Sequence, residues 1–284
     1  MYNEGVSGSL TRNRIVNAWK ELYDFHGKNV LDMGCGDGKY TMELYKLIRD
    51  GGSILGIDAS EKAIESANNL IYKNIVGGVI LDLGCGNSPY KSLLPKNLKY
   101  IGLDYNMAQE NFDYKKPEDV ILYDGKDFPF ENNSFDYLYH TETLEHIKAP
   151  AYFLKECNRV LKDNGTMFFS VPFQARYHYI PFDYYRYTPA SLEMLLEEAG
   201  FDNIKIIERG SDITVAAYKI VSVFHRMLLD RGVKGIINKT LAILFSPVYL
   251  IFLLIAHISL IFNLGSKDDC LGYSVISKKS KNYE

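Results

Sequence analysis

The sequence predicts a doubly wound α/β fold on a mostly parallel sheet of seven strands. A partial βαβα copy precedes that fold, and a hydrophobic helical insertion interrupts it near its end. Three observations predict this. From residue 76 onward, apolar strands alternate with segments of helical length, the pattern of parallel strands joined by crossover helices. The stretches NVLDMGCGDGKYT (29–41) and VILDLGCGNSPYK (79–91) write nearly the same glycine turn twice. Between Lys239 and Lys267 there is no Asp, Glu, Lys or Arg at all.

The first copy runs NVLDMGCGDGKYTMELYKLI and then SILGIDASEKAIESANNL. It reads as a strand, a glycine turn, a helical stretch, a second strand ending in Asp58, and a helix from Glu61 to about Tyr72. The second copy repeats the strand and turn, and its next strand, KYIGLDYN, ends in Asp104. It then continues. DVILYDG is a third strand, FDYLYH a fourth, and APAYFLKECNRVL a helix whose Leu, Cys and Val share one apolar face. GTMFFSVPF is a fifth strand. PASLEMLLEEAGF is a helix opened by Pro189 and closed by Gly200, NIKIIER a sixth strand and LGYSVISKK a seventh. Residues 1–75 therefore read as a half-domain and 76–284 as a whole domain, with the insertion at about 213–266.

Bulk properties exclude some classes. Lysine and arginine (32) nearly balance aspartate and glutamate (35), so there is no electrostatic footprint for nucleic acid; SKKSK at 277–281 reads as a solvated tail. Cys35, Cys85, Cys157 and Cys270 form no CxxC pair. That argues against a metal site or a disulfide framework and for a reducing cytosol. MYNEGVSGSLTRNR, at the N-terminus, has no apolar core of the kind a secretory signal requires.

A strand that ends in D-x-G-x-G lets a ligand approach the backbone closely, because glycine presents no Cβ. Ligands of open α/β sheets sit beyond the carboxyl ends of the strands. An acid at the end of the following strand can accept two hydroxyls of a ribose. The dinucleotide fingerprint G-x-G-x-x-G is not met: the third glycine comes one place early in Gly34-Cys-Gly36-Asp-Gly38 and is missing from Gly84-Cys-Gly86-Asn-Ser. An aspartate stands two residues before each first glycine (Asp32, Asp82). A carboxylate there favours an ammonium and disfavours a pyrophosphate.

LDLGCG, IGLDYN, YDGKDFPF, FDYLYHTETLEHI and GTMFFSVP, in that order, resemble class I S-adenosylmethionine-dependent methyltransferases, Rossmann-like and type 11-like. The resemblance covers about residues 76–210 and the last strand. It implies S-adenosylmethionine as cofactor. Asp82, Gly84 and Gly86 would surround its methionine part. Asp104 would bind the ribose and Tyr105 would pack on the adenine. Asp124 and the backbone of Gly125 would read the adenine edge, and His140 would lie beside the sulfonium. Tyr105 and His140 also suit plain packing roles. Glu142, Glu145 and His146 are candidates for a general base, needed only if the acceptor is a protonated group; Glu145-His146 also fits a cap for the next helix, so no catalytic residue is assigned. ARYHYIPFDYYRYTPASL (175–192) resembles a segment of methyltransferases encoded with bacterial surface-polysaccharide enzymes, where it lies over the active-site mouth. Its aromatic faces suit a sugar or a cation, or a packed loop.

The apolar stretch is long enough to cross a hydrocarbon core, for which about 20 residues suffice. A simple span would strand LGYSVISKK on the far side. The expectation is instead a helical hairpin, with AAYKIVSVFHRMLL as partner helix and a break at Pro247. It would dip into one leaflet or lie at the interface; a buried helix pair or a dimer contact is the alternative. Copy one has Asp32, Gly34, Gly36 and Asp58 but nothing matching YDGKDFPF or a fourth strand, so it reads as a remnant, with a regulatory cofactor site as the other reading. The whole reads as a methyltransferase, cytoplasmic or at the inner-membrane surface. Its acceptor would be a small molecule, a glycan or a lipid-linked compound of the cell envelope. A nucleotide-sugar oxidoreductase lacks its glycine fingerprint and a Tyr-x-x-x-Lys here. A non-catalytic membrane scaffold is the third reading.

Overall fold

The computed structural model describes residues 30–33, 54–57, 77–88, 91, 94, 97–108, 117, 120–230 and 232–281. Gly34, Cys35, Gly36, Asp58 and the expected 61–72 helix lie outside them. Two short strands, β1 (Val30–Met33) and β2 (Ile54–Ile57), pair in parallel as a sheet of their own. A second sheet has seven strands: β3 (Gly78–Leu83), β4 (Leu98–Tyr105), β5 (Val120–Tyr123), β6 (Phe135–Thr141), β7 (Leu161–Pro172), β8 (Phe201–Arg209) and β9 (Gly272–Lys279). Their order is β5-β4-β3-β6-β7-β9-β8, so the sheet is doubly wound, with the direction of winding reversing at β3.

Pairs β3–β4, β3–β6, β4–β5 and β6–β7 are parallel. Strand β9 runs the other way. At its start Leu271 N–H donates to Arg209 at the end of β8, and beyond its end Ser280 N–H donates to Gly200, just before β8 begins. Strand β3 takes the place next to β6.

Strand β3 is buried because it has a neighbour on either side: Ile80, Leu81 and Leu83 are at most 1% exposed. Burying side chains of that size stabilises by about 1.5–3 kcal/mol each. The edge strands show it less; Ile121 and Leu122 of β5 are exposed.

Helix α1 (Pro150–Val160) joins β6 to β7, and α2 (Pro189–Glu198) joins β7 to β8. Thr188 caps α2: its side chain accepts from Ser191 N–H, and Ser191 Oγ accepts from Thr188 N–H. Pro189 opens the helix as expected, and Gly200, at φ +86°, closes it.

Three helices lie between β8 and β9 in sequence: α3 (Asp212–Leu229), α4 (Gly232–Leu244) and α5 (Ser246–Phe262). Contacts divide the chain into two compact units, with Ala63–Ile207 and the strand from Tyr273 in one and Glu208–Gly272 in the other. Within the helical unit α3 and α5 run antiparallel, since Thr214 bonds to Ser259 at 3.1 Å and Phe224 meets Tyr249 at 5.6 Å. The break falls at Phe245, two residues before Pro247, because proline's fixed φ suits the first turn of a helix rather than its interior. Among the described residues no single helix is long and apolar enough to cross a membrane. Together α4 and α5 pass by length and composition, bent by 61°.

Candidate functional site

The parallel strands end together, and the acids expected at those ends are there. Asp82 is 3% exposed at the end of β3. Register sets it opposite Gly102 of β4 and Tyr139 of β6. Tyr139 donates its hydroxyl to Asp82 Oδ2 at 2.5 Å, and Tyr100, two residues before Gly102, donates to the same oxygen at 2.7 Å. Burial pushes the Asp82 carboxyl up to about 7; the two tyrosine hydroxyls oppose the rise and the Asp104 charge adds to it.

The glycine turn follows. Gly84 stands at φ +64°, and a Cβ there would lie 2.6 Å from Thr143 Cγ2. Gly86 stands at φ +54° and a Cβ there would meet nothing within 4 Å, so this side of the turn is open. Gly86 N–H donates to Asp104 Oδ2 at 2.9 Å and Tyr105 N–H to Oδ1 at 2.8 Å. Between the two glycines, Cys85 is a buried thiol whose pKa rises through desolvation and the charges of Asp82 and Asp104, which leaves it inert.

Beyond Asp104 the ring of Tyr105 covers Gly125 so closely that a Cβ at Gly125 would lie 3.1 Å from it. Asp124 is exposed and accepts from Lys126 N–H at 3.0 Å. Glu156 and Arg159 of α1 hold the chain that follows: Phe128 N–H donates to Glu156, and Arg159 donates to the carbonyls of Phe128 and Phe130.

The structure thus gathers Asp82, Gly84, Gly86, Asp104, Tyr105 and Gly125. It does not bring His140 to them. Successive residues of a strand face opposite ways, and it is Tyr139 that shares the face of Asp82. His140 is fully buried, stacks on Phe169 at 4.6 Å and meets the edge of Phe153 of α1 at 5.6 Å. Burial lowers its pKa to about 3, so the imidazole is neutral.

The three base candidates flank Thr143 in sequence. Ser170 donates to Glu142 Oε1 at 2.9 Å, Glu145 is fully buried, and His146 Nδ1 is 2.8 Å from the Phe182 carbonyl. The N-cap of α1 is Ala149, with no side-chain cap, so Glu145-His146 does not cap it. The 175–187 segment folds over this turn: Tyr184 N–H donates to the Glu145 carbonyl at 2.9 Å and Tyr187 hydroxyl to Leu144 at 3.1 Å. Tyr100, Tyr139, Thr143 and the 176–187 contacts were not legible in the sequence, because each depends on which strands are neighbours.

Residues 81–169 match a family model described as a methyltransferase domain, and residues 24–79 match a second model with the same description. The ubiquinone biosynthesis O-methyltransferase of Pelagibacter ubique is 32% identical over 143 residues, 50% of this chain and 41% of that protein. A demethylmenaquinone methyltransferase of Staphylococcus aureus is 27% identical over 156 residues, 55% of this chain and 46% of its own. The chain spans less than half the length of either relative. Among solved structures, a putative sarcosine dimethylglycine methyltransferase from Galdieria sulphuraria superposes with a TM-score of 0.48 and 14% identity, over 79% of this chain and 86% of that one. The 81–169 segment is thus similar to methyltransferase domains, of the kind whose cofactor is S-adenosylmethionine.

Proposed function

We propose that the protein transfers the methyl group of S-adenosylmethionine to a small acceptor, and that the turn at residues 82–86 holds the cofactor. The observation that carries this reading is the pairing of a buried Asp82 with an open Gly86. A carboxylate half-titrated near neutrality, with two tyrosine hydroxyls already on one oxygen, gains from a neighbouring ammonium. The methionine end of the cofactor supplies one. Asp104 has about four lone-pair sites on its two oxygens, so holding the turn is compatible with accepting ribose hydroxyls. Tyr105, half over Gly125, offers a ring face to the adenine, and Asp124 an acceptor to its amino group.

The cofactor supplies an electrophilic methyl. Bound there, it would offer that methyl for in-line displacement by an acceptor lone pair, with sulfur leaving with the electron pair. This chain's part is positioning, worth much of the barrier in such a displacement, and taking up a proton if the acceptor brings one.

For the acceptor we favour a compound soluble in lipid, and for the protein a place at a membrane surface. Two observations support this. Helices α4 and α5 leave Val233, Ile236, Leu244, Leu250, Leu254 and Phe262 exposed, and exposed apolar side chains in such number suit contact with a membrane or a partner. The relatives named above act on quinone precursors by their names. A glycan acceptor, suited to the aromatic 175–187 segment, is the competing class. Incubating the protein with radiolabelled S-adenosylmethionine and separate lipid and sugar extracts decides: label in the lipid phase supports the reading, and label confined to sugars overturns the lipid preference.

A further inference from the structure

Glu145, His146 and His178 offer three ligand atoms that all lie within 4.8 Å of one another. The first two are neighbours in the turn Leu144–His146; His178 is brought in by the segment folded over that turn. Both rings are oriented from behind. His146 Nδ1 lies 2.8 Å from the Phe182 carbonyl, and His178 Nδ1 lies 2.8 Å from the Arg176 carbonyl and 3.0 Å from Asp183 Oδ2. A proton on each Nδ1, donated to these acceptors, would leave each Nε2 as the ligand atom. Arg186 Nη2 is also 3.5 Å from His178 Nδ1, a longer contact than those to the two acceptors. A carbonyl or carboxylate behind the second ring nitrogen is the outer shell of metal-binding histidines.

Charge agrees with geometry. The carboxylates of Glu142 and Asp183 act on His146, and Asp183 is paired with Arg186.

We propose that Glu145, His146 and His178 bind a first-row divalent transition-metal ion of the Zn2+ type, for which one carboxylate and two imidazoles are suitable donors. Bonds of about 2.0–2.2 Å set tetrahedral ligand atoms about 3.3–3.6 Å apart. Glu145 Oε1 and His146 Nε2 are already 3.7 Å apart. His178, partly exposed on its loop, would supply the third ligand from within 4.8 Å. Three protein ligands leave a fourth position for water or an acceptor oxygen. Use of that position in methyl transfer rests on the function proposed above; binding of the ion does not.

The test is titration of the tag-free full chain with Co2+, whose visible absorption intensifies when nitrogen and oxygen ligands replace its six waters. One equivalent should saturate the signal, and one equivalent of Zn2+ should remove it. His178→Ala should weaken binding at least about tenfold with the metal-free unfolding midpoint unchanged. Glu145→Gln should do the same if it folds, and His257→Ala on α5 should bind as wild type. A wild-type protein without a saturable signal, or His178→Ala binding as tightly as wild type, overturns the proposal.

Discussion

The strands Val30–Met33 and Gly78–Leu83 run into nearly the same glycine turn and pair with the strand that follows in the same register. Asp32 lies opposite Gly56 just as Asp82 lies opposite Gly102. What differs is their company. Two residues before Gly102 stands Tyr100, which donates to Asp82; two residues before Gly56 stands Ile54. On its other side β3 has β6 and Tyr139, whereas among the described residues β1 has β2 alone. A glycine turn thus acquires its chemistry from the strands beside it. The better glycine run is in the copy with fewer partners.

The comparison is broken most sharply by removing the charges. Asp82→Asn should weaken S-adenosylmethionine binding by about 10–150-fold at pH 8, the value of one hydrogen-bonded charge, while Asp32→Asn changes it less than twofold. In the wild type, affinity should climb as pH rises from 6 to 8 and then level, because the cation needs the ionised form of a carboxyl titrating at about 7. Calorimetry across that range checks both. A flat profile would mean that Asp82 does not meet the ammonium.

Asp82→Asn should also stabilise the ligand-free protein. Its folded pKa is raised from 3.8 to about 7, so the folded state holds the proton more tightly than the unfolded one. Wild-type stability therefore falls as pH rises from about 4 through about 7. The Asn variant escapes that loss, and its advantage in unfolding midpoint should widen across that window to several degrees at pH 8. An advantage that is constant with pH would contradict the burial account.

The two glycines of the working turn should separate next. Gly84→Ala adds left-handed strain, about 1 kcal/mol, and a clash with Thr143, for a loss of about 2 kcal/mol in urea unfolding. Gly86→Ala adds only the strain, since nothing meets its Cβ. Equal losses would mean that Thr143 yields. The smallest effects concern the tyrosines. Tyr139→Phe removes a donor that lowers the Asp82 pKa, so the affinity midpoint should move to higher pH with a few-fold loss at pH 7. Ile54→Tyr in the first copy should leave binding unchanged.

Much of the sheet was legible because β3, β4, β6, β8 and β9 are short apolar runs bounded by turns, and Pro189 and Gly200 bracket α2 as their φ preferences require. The start of β7 was not. It begins at Leu161 rather than at Gly165, and Lys162, Asp163 and Asn164 form an irregular stretch with Asn164 at φ +59°; three polar residues in a row carry no strand period. At the site, acids and glycines showed because they lie in one contiguous word. Tyr100 and Tyr139 stand 18 and 57 residues from Asp82, and His178 stands 32 residues beyond His146, so no spacing could join them. For His140 the type of residue was suggestive, but strand parity, set by β6 pairing with β3, turns its ring toward α1.

The central claim is that the second copy holds the cofactor. Calorimetric titration of the full chain with S-adenosylmethionine, beside Asp104→Ala and Asp58→Ala, tests it most directly. One site per chain that disappears in Asp104→Ala and persists in Asp58→Ala is the result the account requires. The reverse pattern would assign the cofactor to the first copy, and no binding by the intact protein would contradict the account altogether.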